Sequence, residues 1–330
     1  MIRARVIGTG SFLPDRIVTN EEVARSLGVP PARIQRLTGI RERRWAAEHE
    51  ASSDMAIAAA RRALDAAGCP AADVDAIILS TTSPDMAFPS TACFVQRGLG
   101  CRGGGTFDVS ASCSGFLYGL SMGQAMIQSG QIRTCLVVAS EVKSRFLDPQ
   151  DEATAMLFGD GAGAVLLRGE EDRSLERHGV LGVRLYADGS RHGLIRVPAG
   201  GSRSPSSPDT LAKGEHVLRM QGAPLFRAAT RRLQQAVEDM LKEFGLRLDD
   251  VKQVVLHQAN GRILTHVADR LGIPQNKVAS VIERYGNTSS ASLPIALDAA
   301  VSGGRIMPGD LVLLGSFGGG LTWATSLVRW

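Results

Sequence analysis

The chain has 330 residues, 44% of them hydrophobic and 21% charged, a balance that suits a packed soluble core and excludes global disorder. Its net charge is only +4 and aromatics make up 5%, with no Lys/Arg block interleaved with aromatic rings. A nucleic-acid-binding surface is therefore not expected.

The N-terminal "MIRARVIGTGSF" has no basic start followed by a long apolar run, so no secretory signal is read. Apolar runs such as "AIILS" and "LVVAS" have strand length, well short of the ~18 residues that span a bilayer. The expected location is the cytoplasm. Next comes "RIQRLTGIRERRW" (33–45), with Arg33, Arg36, Arg41, Arg43 and Arg44: an arm for an anionic ligand or acidic partner, or a solvated, ion-paired segment.

Beyond it, helical patterns alternate with short apolar strands, which predicts an α/β fold, and the second half echoes the first. Helix, break and buried strand in 54–82 return in 226–259. A helix closed by Leu-Gly, a strand and a run of small residues in 91–115 return in 262–292. The strand in 129–141 returns in 303–317. Two pseudo-symmetric halves follow, an N-terminal half (1–172) and a C-terminal half (173–330). The boundary falls in the charged "RGEEDRSLERHG" (168–179). Ligands in open α/β sheets bind beyond strand C-termini, so the equivalent strand ends of two such halves meet at one site.

Three polar residues stand at those ends. In "FDVSASCSGFLYGL" (107–120), Cys113 follows a strand and precedes a helix whose Phe116, Leu120, Ala125 and Ile127 share an apolar side. It is either a small buried packing residue or a nucleophile whose thiolate the helix N-terminus favours. The other cysteines, Cys69, Cys93, Cys101 and Cys135, form no C-x-x-C pair and read as buried hydrophobes, against a disulfide framework or a zinc site. His257 ends the apolar "VVLH". Asn287 lies in the turn "RYGNTSSAS", where most asparagines serve the backbone. Together the three suit a nucleophile with two donors for a developing oxyanion. "GSFGGGLTW" (315–323) lets backbone approach a ligand, without the G-K-[ST] of a phosphate loop, while the glycines of "FGDGAGAVLL" (158–167) read as packing positions. The Ser/Pro/Gly-rich 198–216 reads as a loop able to lie over a site entrance.

Taken in order, "IGTGSFLP", "TGIRER", "FPSTAC", "FDVSASCSGF", "FGDGAGAVLL", "HQANGRI", "GNTSSASLPIAL" and "FGGGLTW" resemble the β-ketoacyl-[acyl-carrier-protein] synthase III family of the thiolase superfamily over nearly the whole chain. The resemblance implies a five-layered α/β/α/β/α fold, a homodimer, acyl carrier protein as partner, and no cofactor beyond thioester substrates. It implies an acyl primer carried on Cys113, and decarboxylation of a malonyl carrier-protein thioester with His257 and Asn287 stabilising the enolate. The N–H groups of Cys113 and Gly319 would form the oxyanion hole. Phe88, Met156, Leu157 and Phe317 would border the acyl pocket. Gly222, Asn260 and Arg33 would line the pantetheine or coenzyme A tunnel, and Arg227, Arg262 and Arg270 would meet the carrier protein. Family members carry Trp where this chain has Arg33, Arg at Leu37 and Glu152, and Asn at Ala223. Loss of the adenine clamp, with Glu152 beside an anionic nucleotide, implies weaker coenzyme A binding and a best primer other than acetyl-CoA: an acyl chain on a carrier protein, or an unusual acyl-CoA. The runner-up activity is acyl transfer to another acceptor without decarboxylation.

Overall fold

A computed structural model describes residues 2–171 and 178–330. The first stretch supplies β1 (Ile2–Phe12), α1 (Ser52–Ala67), β2 (Ala76–Ser80), α2 (Thr91–Leu99), β3 (Gly105–Val109), α3 (Gly115–Gln128), β4 (Thr134–Glu141) and β5 (Gly161–Glu171). The second supplies β6 (Gly179–Ala187), α4 (Gly222–Glu243), β7 (Gln253–Leu256), α5 (Gly261–Leu271), β8 (Val278–Ala279), α6 (Ser292–Ser302), β9 (Leu311–Gly318) and β10 (Thr322–Arg329). The boundary expected between 172 and 173 lies outside the described residues.

The repeat extends further than the sequence echoes. One sheet runs β1-β5-β4-β2-β3 and the other β6-β10-β9-β7-β8, so equivalent strands hold equivalent places. In each sheet the first two pairings are antiparallel and the last two parallel. Every residue of β2, β4, β7 and β9 is buried, because helices cover both faces of these strands; hence their continuous apolar runs. The two Leu-Gly signals are the C-terminal caps of α2 and α5, where Gly100 and Gly272 adopt φ 74° and 68°.

Helices α1 and α2 cover the outer face of the first sheet through Met55, Ala59, Ala63 and Val95 on Ile77, Val138 and Leu166. On the far side, Leu233, Val237 and Met240 of α4 and Val267 of α5 pack on Val254 and Leu313. Between the sheets, α3 and α6 bury Phe116, Leu120, Ile127, Ala296 and Leu297 against Val137 and Val165 on one side and Val312 and Leu314 on the other. The result is the five-layered α/β/α/β/α arrangement. Ala125 departs from the expected apolar side of α3: it is exposed, since the helix is enclosed at its start and emerges toward its end.

The glycines of 158–167 do pack. A Cβ on Gly163 would lie 2.8 Å from Pro294 Cβ, so its absence lets β5 lie on the first turn of α6. Pro294 sits where a helix has no intrahelical use for its N–H. Most of the basic arm is solvated or ion-paired, with Arg33, Arg36 and Arg41 exposed, and Arg43 is the exception. Arg43 is fully buried, with Nη1 donating to Asn20 Oδ1 and Nη2 to the Met156 carbonyl, and Arg41 pairs with Glu283. Among the described residues, no helix is long and apolar enough to cross a membrane.

Candidate active site

Each central helix begins in a short 3-10 turn, Ser112–Ser114 before α3 and Ser289–Ala291 before α6, so their N-termini meet between the halves. Each turn opens on a serine in the left-handed region, Ser112 at φ 50° and Ser289 at φ 51°. This matched pair of tight turns places Cys113 and Asn287 at one locus. His257 joins them at the end of β7, its N–H donating to the Gly315 carbonyl at 2.8 Å. All three line a cavity of about 800 Å³ that opens at Arg33, Glu152, Arg227 and Arg262. The mouth is exposed and the floor buried, with Cys113 and His257 each 6% exposed.

Cys113 Sγ lies 3.5 Å from Ser289 Oγ and 3.9 Å from Ser112 Oγ. Burial pushes the thiol up, and Ser289 draws it partway back. Desolvation in the enclosed turn thus works against the thiolate that the helix N-terminus favours. Burial also pushes His257 down to about 3, so its imidazole is neutral. Ser292 Oγ accepts the Gln258 N–H at 3.0 Å and turns its own proton to His257 Nδ1 at 2.6 Å, which leaves the imidazole proton on Nε2. Asn287 Oδ1 accepts the Ser289 N–H at 2.9 Å, leaving its amide N–H groups as the donor end. Backbone bonds to Leu157 and Gly159 fix its position. The floor therefore presents a thiol and two neutral donors.

The "FGGG" turn closes the site from the other half. A Cβ on Gly318 would lie 2.6 Å from the Cys113 nitrogen, so only glycine lets the end of β9 meet the nucleophile turn. This contact sets the Gly319 backbone beside Ser112 and Cys113. Met156, Leu157 and Phe317 line the same cavity, as do Gly222, Asn260, Arg33, Arg227 and Arg262. Asn260 is also structural, since its Oδ1 caps α5 through the Arg262 N–H and its Nδ2 donates to the Leu37 carbonyl.

Other expected positions fall elsewhere. Phe88 is 86% exposed and is not part of this chain's cavity lining. Asp85 ties its loop to Ser53 at the start of α1, which holds Phe88 on the outside. Arg270, expected to meet the carrier protein rather than to line the cavity, is exposed on α5 and donates to Gln234. Glu152 does not face the mouth as a lone anion, since Arg33 pairs with it at 2.7 Å. None of the described lining residues comes from 198–216; Ile195 and Met220, in the short hairpin at the base of that loop, do line the cavity. Sequence reasoning missed Ser289, Ser292 and Glu141. The one available signal was a charged residue ending the buried "LVVASE" strand.

Comparison with known proteins gives this geometry a family. Residues 107–189 match the model of the family described as 3-Oxoacyl-[acyl-carrier-protein (ACP)] synthase III, and 241–330 match its C-terminal counterpart. A curated β-ketoacyl-[acyl-carrier-protein] synthase III from Rhodospirillum rubrum is 48% identical, with 100% of each chain covered. The crystal structure of 3-oxoacyl-[acyl-carrier-protein] synthase III from Aquifex aeolicus superposes with TM-score 0.90 at 39% identity, covering 99% of this chain and 100% of that one. The priming β-ketosynthase of the R1128 polyketide pathway superposes with TM-score 0.91 at 35% identity, covering 99% and 96%. Fold and likeness define a condensing enzyme of the thiolase fold. Within that class, the chain belongs to the β-ketoacyl-[acyl-carrier-protein] synthase III family.

Proposed function

We propose that this protein condenses an acyl primer with malonyl-acyl carrier protein, releasing CO₂ and a β-ketoacyl-acyl carrier protein. The observation that carries the reading is the convergence of Cys113, His257 and Asn287 on the floor of one cavity. The Cys113 sulfur attacks the primer thioester, and the donor thiol leaves. In the carrier-protein thioester that follows, loss of CO₂ moves an electron pair onto the thioester oxygen. The His257 Nε2–H and the Asn287 amide stabilise it there. A neutral imidazole suits this step, because a cation would hold the carboxylate that has to leave. The carbanion then attacks the acyl carbon and Cys113 departs. The N–H groups of Cys113 and Gly319 serve the tetrahedral intermediates.

Acetyl-CoA is not the best primer; an acyl chain on a carrier protein, or an unusual acyl-CoA, is preferred. Support comes from the Arg33–Glu152 pair, which occupies the mouth and commits the Arg33 charge to a side chain. Arg227, Arg262 and Arg270 meet the acidic carrier protein. The protein works as a homodimer, and the exposed Met86 and Phe88 give a second subunit an apolar loop to cover.

The test adds malonyl-carrier protein to pre-acylated enzyme and measures CO₂ and β-ketoacyl product. His257→Ala and Asn287→Ala should keep the acyl-enzyme yet lose about 10²-fold or more in condensation, as expected when a transition-state donor is removed. Acyl transfer to a hydroxyl or amine without CO₂ release would favour the runner-up activity instead.

A further inference from the structure

Against the Cys113 turn lies a closed polar cluster that the reaction above leaves unused. Glu141 ends β4 with no exposure at all, and Lys143 just beyond it is 7% exposed. A buried carboxylate is unfavourable unless paired and hydrogen-bonded, and this one is both. It accepts from Ser83 Oγ at 2.7 Å, the Thr82 N–H at 3.1 Å, Ser290 Oγ at 2.8 Å and Ser289 Oγ at 3.1 Å, and Lys143 Nζ pairs with it at 2.9 Å. Lys143 keeps its carboxyl below the usual carboxylate range.

Ser289 links this cluster to the nucleophile. A hydroxyl has one proton and two lone pairs. The Ser289 proton goes to Glu141 Oε1, so toward Cys113 Sγ, 3.5 Å away, it is the acceptor of the S–H. The direction of both bonds is thereby set, from sulfur through the serine to the carboxylate. His257 is the rival base, but its Nδ1 is engaged by Ser292, and the imidazole resists taking a proton.

We infer that Ser289 and Glu141 form a proton relay that takes the Cys113 proton as the sulfur attacks the primer thioester. This rests on the acyl-enzyme reading and deepens it. As the new S–C bond forms, the S–H proton passes to Ser289 Oγ and the serine's own proton passes to Glu141 Oε1. The tetrahedral intermediate collapses, the donor's C–S bond breaks, and its thiolate takes a proton from solvent at the cavity mouth. Glu141 keeps the relayed proton through the acyl-enzyme stage. When the carbanion displaces Cys113, the departing thiolate recovers it through Ser289. The transfer raises the net charge of the Glu141–Lys143 pair from zero to one positive, balanced by the negative charge on the tetrahedral intermediate until the donor thiolate leaves with it. Neutralising Glu141 leaves the Lys143 cation facing the charge that develops at sulfur, which offsets the cost of protonating a carboxylate held ionised at rest. The charged or titratable groups facing Glu141 are Lys143 and, across Ser289, Cys113; its contacts from the loop after β2 and the turn before α6 are hydroxyls and backbone.

Iodoacetamide alkylation of the Cys113 peptide, followed by mass spectrometry between about pH 6 and 9, tests the relay without any primer. In the native protein the rate should change by less than about threefold from pH 6 to 8, because the relay base is ionised throughout. In Ser289→Ala and Glu141→Gln it should fall at least about tenfold at pH 7 and rise close to tenfold per pH unit, the dependence of an unassisted thiol. Ser289→Ala leaves the other Glu141 partners in place, so it decides the matter even where Glu141→Gln does not fold. A Ser289→Ala protein with the native rate and profile would overturn the relay. Failure to form an acyl-enzyme alongside a flat native alkylation profile would overturn only the acyl-enzyme reading.

Discussion

Cys113 and His257 lie at the buried end of the same cavity, and burial favours the uncharged form of both, a thiol and a neutral imidazole. The histidine leaves a mark on stability. In the fold it takes its proton only near pH 3, against an ordinary value of 6.5. Between those values the unfolded chain binds more protons, so stability falls as pH falls. Glu141, held below 4.5 in the fold, acts in the same direction, but its contribution is lost only at lower pH. Asp108 and Asp160, raised by burial above 3.8, act oppositely, so the histidine's share is read as the difference between the native protein and His257→Gln. Unfolding free energies from denaturant titrations should hold steady from about pH 8 to 7 and decline below 6.5 with a slope near 1.4 kcal/mol per pH unit, a slope that His257→Gln should reduce. An unfolding free energy that declines equally in His257→Gln would contradict a buried neutral histidine. Single residues were legible in the sequence where polarity interrupts an apolar strand, as at His257, or small residues surround a thiol, as at Cys113. It was silent on Ser289 and marked Glu141 only as a charge ending a buried strand, because their significance lies in a contact 148 residues apart in the chain.

Among the elements, the helix-strand echoes placed α1 with β2 and α4 with β7 correctly, because capped helices and buried strands carry local signals. The outer strands β1, β5, β6 and β10 escaped the echo. They match by their position in the sheet, and position leaves no periodic trace. Arg43 departs from expectation for a similar reason: an arginine in a basic arm looks solvated until the Asn20 side chain and the Met156 carbonyl arrive from other segments. The meeting of β9 with the Cys113 turn carries its own prediction. Gly318→Ala places a methyl 2.6 Å from the Cys113 nitrogen, so strand end and turn have to separate. Acylation of Cys113 should drop by about 10²-fold while the melting temperature falls only a few degrees, since preorganised geometry suffers more than the core. Unchanged acylation in this variant would show that the contact does not set the nucleophile.

Across the whole molecule, two halves of one topology bring together two tight turns, a strand-end histidine and a glycine loop that no stretch of sequence holds together. That convergence could be anticipated because the halves repeat, and the motifs named the family before the geometry did. The pairing of Arg33 with Glu152 could not, since the residues are 119 positions apart. The proposed function rests on Cys113, on the shared floor, carrying the acyl group. The most direct test is intact-protein mass after separate incubation with acetyl-CoA and with an acyl carrier protein bearing an acyl chain, using Cys113→Ala as control. The native chain should gain the mass of one acyl group, more from the carrier protein than from acetyl-CoA, and the variant should gain none. No gain from any donor, or a gain that persists in Cys113→Ala, would contradict an acyl-enzyme on this residue.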